Sequence, residues 1–355
     1  MKKMLLSICL SALTLFTAQA QNQELSAAWL KDYLNSVDFS GTVLLKKKDG
    51  EILQQSNGYS DLEESQAIAA DSKFRICSIT KLFTATLIMQ LVDEEKLSLK
   101  TTLASYPEYG QIPYASEITI KNLLQHTSGL KNEKVASYLK AHSPDALISK
   151  FAYQKGEAPG KVFNYNNIDF LLLGRIIELV TEKSYEINLK ERILNPLGMD
   201  NSGLITGEAS NAELVPGFVL RKDKRRPEQQ IHLENFWAAG SMYSTTADLL
   251  KFTEGLKSGD LLSENSGSAL LQSDASLGYA ALGCWTFNSP FIEGSPRVME
   301  RRGEILSIKT VIMTSLDGPE TVIMLANTNG FDPSSFGDQN NPKEFLFKTL
   351  FQTEQ

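Results

Sequence analysis

The length, composition and charge of the chain exclude several classes of protein. It has 355 residues, of which 42% are hydrophobic, and a formal net charge of -7 at neutral pH. A chain of this size can bury a large core, as one big domain or as two interleaved ones. The acidic balance argues against nucleic acid as a partner, and the basic run Arg221 to Pro227 is interpreted as a solvated loop.

The first twenty residues have the pattern of an export signal. Lys2 and Lys3 precede a mainly apolar stretch over residues 4–16, which is too short to span a bilayer, and Ala18-Gln19-Ala20 follows. These segments match the positive, apolar and cleavage regions of a signal peptide. We therefore expect cleavage after Ala20 and a periplasmic or secreted protein. The rest of the sequence has no apolar run long enough for a membrane span.

Hydrophobic periodicity predicts strands at both ends of the chain and helices between them. The predicted elements are a helix over 24–37, strands over 41–47 and 52–59, helices from residue 78 and over 119–125, 167–181, 185–193 and 247–256, strands over 279–288, 297–300, 305–314 and 321–327, and a helix over 342–351. This order implies an α+β fold whose sheet is built from both termini. The predicted division is a signal peptide at 1–20, a sheet subdomain at 21–77 and 277–355, and a mainly helical subdomain at 78–276.

The first candidate for chemistry is the sequence Ser78-Ile79-Thr80-Lys81. On a helix, residues three apart share a face, so an ammonium can touch a hydroxyl and activate it as a nucleophile. Ser-x-x-Lys also occurs at Ser128 and Ser137, but those two strings are interpreted as turn and surface. The string at Ser78 differs because it opens a strongly apolar helical segment.

A second candidate is Tyr165-Asn166-Asn167, on a loop that leads into an apolar helix. A tyrosine beside cations can serve as a general base, and an asparagine amide can hold a substrate carbonyl and a lysine. The alternative is simple packing of a half-buried tyrosine, since Tyr-x-Asn also occurs at Tyr33.

The third candidate is Arg301-Arg302-Gly303 with Glu304, placed between two predicted strands. Glycine there lets a ligand approach the backbone, the N–H of Glu304 could contribute to an oxyanion hole, and an arginine can bind a carboxylate. The rival string Lys257-Ser258-Gly259 ends a helix and is interpreted as a C-cap.

Cysteine and histidine add little chemistry to these candidates. After removal of the leader only Cys77 and Cys284 remain, and a buried thiol is the expected state of Cys77, although a bridge between the two stays open. The histidines lack the spacing of metal ligands, so no metal site is predicted.

Five blocks in order resemble the serine β-lactamase and penicillin-binding-protein superfamily, above all its class C β-lactamase-like, D-alanyl-D-alanine carboxypeptidase and esterase branch. They are FRICSITKLFTATLIMQLVDEEKLSL from Phe74, LLQHTSGL from Leu123, PGKVFNYNNIDFLLLGRIIE from Pro159, NPLGM from Asn195 and AAGSMYSTTADLLKF from Ala238. The resemblance implies an antiparallel sheet flanked by the terminal helices on one side and by a helical subdomain on the other.

The resemblance also implies roles for individual residues. Ser78 would be the acylated nucleophile, Lys81 its activating cation, Tyr165 the general base and later proton donor, and Asn167 a contact to substrate and lysine. The N–H groups of Ser78 and Glu304 would form the oxyanion hole. His126, in the HTSGL block, is expected to be structural.

The third motif of the family is usually Lys-Thr-Gly or His-Thr/Gly-Gly, whereas this chain has Arg301-Arg302-Gly303 followed by Glu304. Arg301 stays protonated and cannot relay a proton, and Arg302, in place of a small residue, is expected to narrow the pocket or change its charge, so efficient β-lactam hydrolysis is not predicted. Glu304 could pair with either arginine or repel an anionic substrate.

Two classes of function follow from the sequence. The first is an exported serine hydrolase, without cofactor, that acts through an acyl-enzyme on a small-molecule amide, peptide or ester; β-lactamase, D-alanyl peptidase and esterase activities are not ranked. The second is a degenerate relative that binds peptidoglycan fragments or a protein partner without turnover.

Overall fold

The computed structural model describes residues 25–160, 162–207, 213–221 and 224–352. The predicted signal peptide and its cleavage site lie outside these residues. The strands are β1 (Gly41–Lys46), β2 (Ile52–Asn57), β3 (Phe74–Arg75), β4 (Gly203–Leu204), β5 (Phe218–Arg221), β6 (Lys224–Pro227), β7 (Met242–Ser244), β8 (Trp285–Asn288), β9 (Arg297–Ile305), β10 (Ile308–Ser315) and β11 (Thr321–Ala326).

The helices lie between and around these strands. They are α1 (Ala27–Ser36), α2 (Thr80–Asp93), α3 (Ile120–Leu124), α4 (Pro144–Phe151), α5 (Asn167–Thr181), α6 (Tyr185–Leu189), α7 (Trp237–Gly240), α8 (Thr246–Ser258), α9 (Glu264–Leu270) and α10 (Pro342–Thr349). A π-helical turn over Lys190–Leu194 continues α6, and a 3-10 turn over Cys77–Ile79 precedes α2.

The main sheet confirms that strands from the two ends of the chain pair with each other. Its order is β2-β1-β11-β10-β9-β8, and every neighbouring pair is antiparallel. The N-terminal hairpin joins the C-terminal strands through β1 and β11, where Gly41 lies opposite Ala326. Helices supply most of the intervening chain, as the predicted α+β class requires.

The two faces of the sheet are both buried, against different helices. Side chains alternate between faces along a strand, so Val43 and Leu45 pack in the cluster that contains α1 and α10, while Leu44 packs in the larger helical core. On β11, Met324 likewise packs in the cluster with α1 and α10, and Leu325 packs in the helical core. The second face carries the helices that hold the candidate site.

Helix α2 runs through the middle of the helical core. Leu82, Phe83, Leu87 and Ile88 are all fully buried, and the helix has apolar residues around most of its circumference. Such a helix is held by neighbours on every side rather than by one amphipathic face. Any side chain at its first turn therefore has a rigid base.

Several predicted boundaries are wrong for local physical reasons. Strand β9 continues through Gly303 to Ile305, and the turn comes later, at Leu306, whose φ is 55°. Strand β8 begins only at Trp285, because the left-handed backbone at Tyr279 and Gly283 cannot continue a strand. The basic run predicted as a loop contributes to the hairpin of β5 and β6.

The C-cap predicted at Gly259 and the buried thiol predicted at Cys77 are confirmed. Thr245 caps α8 by accepting a hydrogen bond from the N–H of Asp248, and Gly259 ends this helix with a φ of 87°. Cys77 and Cys284 are both buried free thiols, and burial raises the pKa of each to about 12. Among the described residues, no helix has the length and apolarity to cross a membrane.

Candidate active site

Ser78 lies in a sharp turn immediately before α2. Cys77 has a φ of 52°, a left-handed conformation that an L-residue adopts at a cost, and the 3-10 turn then leads into the helix. Ser78 is half-buried, whereas Cys77 and Ile79 on either side are fully buried. The fold thus presents the serine hydroxyl at the edge of the core, close to the positive end of the α2 dipole.

Lys81 is fully buried one turn further on. Its Nζ lies 3.4 Å from Ser78 Oγ, 2.7 Å from Asn167 Oδ1 and 2.7 Å from the carbonyl oxygen of Ala239. Burial lowers the pKa of Lys81, and the Arg301 charge acts in the same direction, while Tyr165 opposes both. The ammonium is therefore fixed beside the serine and holds its proton less tightly than a free lysine does.

Tyr165 completes this group from the loop before α5. Arg301 Nη2 donates a hydrogen bond to the Tyr165 hydroxyl at 2.9 Å, and Lys81 Nζ lies 4.8 Å from the centre of the ring. Burial raises the pKa of the phenol, but the charges of Arg301 and Lys81 and hydrogen bonds from Lys81 and Ser78 lower it to about 8. The net result is a phenol that can lose its proton near neutral pH.

Arg301 is a buried member of the same group and not an exposed receptor. Only 1% of it is exposed, Nε donates to the carbonyl oxygen of Ser78 at 2.7 Å, and the guanidinium lies 5.3 Å from the Trp285 ring centre. Two of its three nitrogens are thus used on Ser78 and Tyr165. Only the third nitrogen of this guanidinium therefore remains for the predicted contact to a substrate carboxylate.

Gly303 brings β9 against the turn that carries Ser78. A Cβ at this position would lie 2.5 Å from the carbonyl oxygen of Ile76 and 2.9 Å from the backbone nitrogen of Ser78. Thr310, opposite Gly303 on β10, donates its hydroxyl hydrogen to the same Ile76 oxygen at 3.0 Å. Glycine is needed because any side chain would push the strand away from the serine.

Glu304 and Arg302, which flank Gly303, bond to residues outside the group around Ser78. Glu304 is exposed and pairs with Lys309, so it forms neither of the predicted pairs with an arginine. Arg302 contacts Glu300 at 3.2 Å and donates to the carbonyl oxygen of Ser334 at 2.7 Å. Successive residues of a strand face opposite sides, so Arg302 does not narrow the space beside Ser78 that Arg301 faces.

Asn167 is positioned by the segment that follows the HTSGL block. Its amide nitrogen donates to Glu133 Oε1 at 2.6 Å and to the Tyr138 hydroxyl at 3.2 Å, and its backbone N–H donates to Asn132 Oδ1 at 3.0 Å. Asn132 also donates to the carbonyl oxygen of Tyr165 at 3.3 Å. One short segment therefore orients two of the predicted site residues.

His126 lies behind Tyr165 as a structural residue. Its ring is 3% exposed and 4.3 Å from the Tyr165 ring centre, and Nδ1 accepts a hydrogen bond from the Asn166 N–H at 3.1 Å. Burial and the charges of Lys81 and Arg301 hold its pKa well below the usual value. A neutral ring here packs under the tyrosine and supports its position.

The two other Ser-x-x-Lys strings are not surface features. Ser128 is buried and donates to Asp169 Oδ1 at 2.5 Å, and Ser137 is buried in a 3-10 turn. The surface position predicted for Ser137 is wrong, whereas Ser128, predicted in a turn, lies in a buried bend. Ser128 thereby links its loop to α5, and the carbonyl oxygen of Ser137 accepts a hydrogen bond from Asn235.

Sequence reasoning missed Glu133, Tyr138 and the carbonyl of Ala239. Glu133 and Tyr138 stand in a polar stretch with no motif of its own, and their only signal is their position just after the HTSGL block. Ala239 contributes a backbone atom, which no residue type reveals. The only sequence feature that indicated a role for Ala239 is its position in the AAGSMYS block.

The chain matches the family model described as Beta-lactamase over residues 27–340. It is 31% identical to penicillin-binding protein 4 of Amycolatopsis lactamdurans over 177 residues, which span 48% of this chain and 46% of that protein. It is 26% identical to teichoic acid D-alanine hydrolase of Staphylococcus aureus over 241 residues, 67% of this chain and 59% of the relative. Both matches cover less than two thirds of the relative.

A solved structure, D-amino acid amidase from Ochrobactrum anthropi SV3 with L-phenylalanine amide, has the same fold. The TM-score is 0.74 at 21% identity, and the match covers 90% of this chain and 94% of that one. The family model covers most of the chain, the fold agrees, and hydrolases are among its relatives. The chain belongs to the beta-lactamase family, within the superfamily of serine β-lactamases and penicillin-binding proteins.

Proposed function

We propose that the protein is a serine hydrolase that forms an acyl-enzyme at Ser78 on an amide, peptide or ester substrate. The observation that carries the proposal is the contact group of Ser78, Lys81, Tyr165 and Arg301, in which one half-exposed hydroxyl meets two buried cations and a phenol of lowered pKa. A nucleophile beside a base that is itself oriented by a third group is the arrangement that acyl transfer needs.

The proposed reaction has two halves. Ser78 Oγ attacks the acyl carbon while its proton passes to the Tyr165 phenolate, and the N–H groups of Ser78 and Glu304 bind the oxyanion. The intermediate collapses when the leaving group takes that proton from Tyr165. Water then attacks the acyl-enzyme, Tyr165 accepts its proton, and the proton returns to Ser78 Oγ as the acid product leaves.

Lys81 and Arg301 supply the electrostatics of this reaction. Lys81 Nζ stabilises the developing alkoxide of Ser78, and its bonds to Asn167 and Ala239 keep it in place. Arg301 lowers the pKa of Tyr165 so that the phenol can lose its proton near neutral pH, a task for which the permanent charge of arginine suits it better than lysine or histidine.

The pH profile should depend on Arg301. Tyr165 works as a base only after losing its proton, so activity falls as the pH drops below its pKa of about 8. Replacing Arg301 with glutamine removes the main charge that lowers this pKa, so the ascending limb of kcat/KM should move up by about one pH unit or more. Arg302→Gln, on the other side of the strand, is the matched control. A limb that stays in place in Arg301→Gln would contradict this role of the arginine.

Turnover of simple acyl compounds tests the proposal. The panel consists of p-nitrophenyl acetate, a chromogenic cephalosporin and a D-Ala-D-Ala peptide, each with wild type and with Ser78→Ala to measure background. We expect hydrolysis of at least one compound by the wild type alone. Rates equal to background for all of them would favour the alternative, a family member that binds peptidoglycan fragments or a protein without turnover, which the departure at Arg301-Arg302-Gly303 motivates.

Export is part of the proposal and rests on the first twenty residues. Their charged, apolar and A-x-A segments support a signal peptide cleaved after Ala20 and a periplasmic or secreted enzyme. The curated relative named for teichoic acid D-alanine hydrolysis agrees with a substrate in the cell envelope.

A further inference from the structure

Asn167 has no amide hydrogen left for a substrate. A side-chain amide carries two N–H hydrogens, and the structure directs both to protein groups, Glu133 Oε1 at 2.6 Å and the Tyr138 hydroxyl at 3.2 Å. Its oxygen accepts from Lys81. An acyl donor whose amine is blocked by an N-acyl group would present a carbonyl here and find no free donor.

Glu133, the carboxylate that binds Asn167, carries an unpartnered acceptor. Its Oε1 binds Asn167 and the Tyr138 hydroxyl, whereas Oε2 is buried and has no hydrogen-bond partner within the described part of the chain. A buried carboxylate oxygen without a donor is costly, and a ligand that brings N–H groups removes that cost. Asn132 and Tyr138 hold the carboxylate in place, since Asn132 accepts from the Glu133 N–H and Tyr138 stacks on Phe236.

The carboxylate of Glu133 favours a cation over an anion as its ligand, and the two cations near Ser78 are already engaged by the protein. Lys81 and Arg301 are both fully buried and bonded to protein atoms, so neither is free to receive a substrate carboxylate on this side. Asn167 alone separates Glu133 from Lys81. Lys81 Nζ in turn lies 3.4 Å from Ser78 Oγ, so a short chain of side-chain contacts connects Glu133 to the nucleophile.

We propose that Glu133 binds a free ammonium group on the acyl part of the substrate, so that the preferred substrates are aminoacyl esters or amides with an unblocked primary amine. The inference rests on the acyl-enzyme chemistry proposed for Ser78 and specifies its substrate class. Ammonium and carboxylate form a charge-assisted hydrogen bond, which an N-acylated amine cannot make.

Paired substrates test the inference. Alanine p-nitroanilide and its N-acetyl derivative, each in both enantiomers, are compared at neutral pH with wild type, Glu133→Gln and the exposed control Glu117→Gln. We expect the wild type to prefer the free amine in kcat/KM by about tenfold or more, and Glu133→Gln to lose about tenfold of that ratio. Glu117→Gln should keep the ratio.

Two results would overturn the inference. One is a wild type that prefers the N-acetyl compounds or does not discriminate. The other is a Glu133→Gln protein that slows both compounds by the same factor, which would mean that Glu133 only positions Asn167.

A binding measurement separates this inference from the proposed function. Calorimetry with alaninamide and N-acetylalaninamide on Ser78→Ala needs no turnover, and we expect tighter binding of alaninamide that is lost in the double variant with Glu133→Gln. If the wild type hydrolyses nothing, the proposed function fails, and equal affinities for the two amides would then also exclude the ammonium site.

Discussion

Replacing Lys81 with methionine is expected to lower the rate of acylation by about 10³-fold, within the range for loss of a group that assists proton transfer. Methionine fits the apolar length of the lysine but cannot stabilise the Ser78 alkoxide. The Tyr165 pKa should rise as well, because one of the cations that lowers it is gone. The measurement is the pre-steady-state rate of p-nitrophenol release from p-nitrophenyl acetate.

Stability must be separated from activity in this variant. Loss of Nζ leaves Asn167 Oδ1 and the Ala239 carbonyl without their donor, yet it also removes a buried charge. Lys257→Met is the matched control, since Lys257 also donates to two carbonyl oxygens, of Ser315 and Gly318, away from the site. Acylation within threefold of wild type in a folded Lys81→Met protein would remove Lys81 from the mechanism.

Replacing Tyr165 with phenylalanine is expected to slow acylation or deacylation by about 10²-fold or more, as for loss of a general acid and base. The ring and its contact to His126 remain, so the change removes only the hydroxyl that Arg301 binds. The ascending limb near pH 8 should disappear with it, because the proposed mechanism assigns that limb to the Tyr165 phenol. Stopped-flow rates across the pH range measure both effects.

Tyr185→Phe is the control for this change. Tyr185 is fully buried, and its hydroxyl bonds to Thr84 rather than to a catalytic candidate. A loss of less than threefold in Tyr165→Phe, with the pH profile intact, would move the proton transfer to Lys81 alone.

The sequence was sufficient where one local pattern determines the structure. The apolar run after Ser78 required a buried helix, and a buried helix fixes the direction of Lys81 one turn later. Strand composition at both ends was enough to predict the shared sheet, because a half-buried strand must find a partner. The five ordered blocks then assigned Tyr165 to the same serine, and the candidate motif at Arg301-Arg302-Gly303 added Gly303.

The details that the sequence could not supply depend on contacts between distant segments. Gly303 was interpreted as a break between strands, whereas it continues β9 because the turn at Ser78 needs its space. Arg301 was expected to face a substrate, but its partners are the Ser78 carbonyl and Tyr165. The sequence did not identify Glu133, because a single acidic residue in a polar loop forms no recognisable motif. Its role becomes visible only from its hydrogen bond with the Asn167 amide.

The most direct test of the central claim is to locate the site of covalent capture. The protein is treated with a fluorophosphonate, cleaved with trypsin after Arg75 and Lys81, and the peptide ICSITK is analysed by tandem mass spectrometry. Cys77 is alkylated after denaturation so that a modified thiol is distinguished from a modified Ser78, and the fragment ions separate Ser78 from Thr80 and Lys81. The account predicts one adduct per chain, on Ser78, and none in Ser78→Ala. An unmodified Ser78 in a folded wild type, under conditions that label a related serine hydrolase, or an adduct that persists in Ser78→Ala, would contradict it.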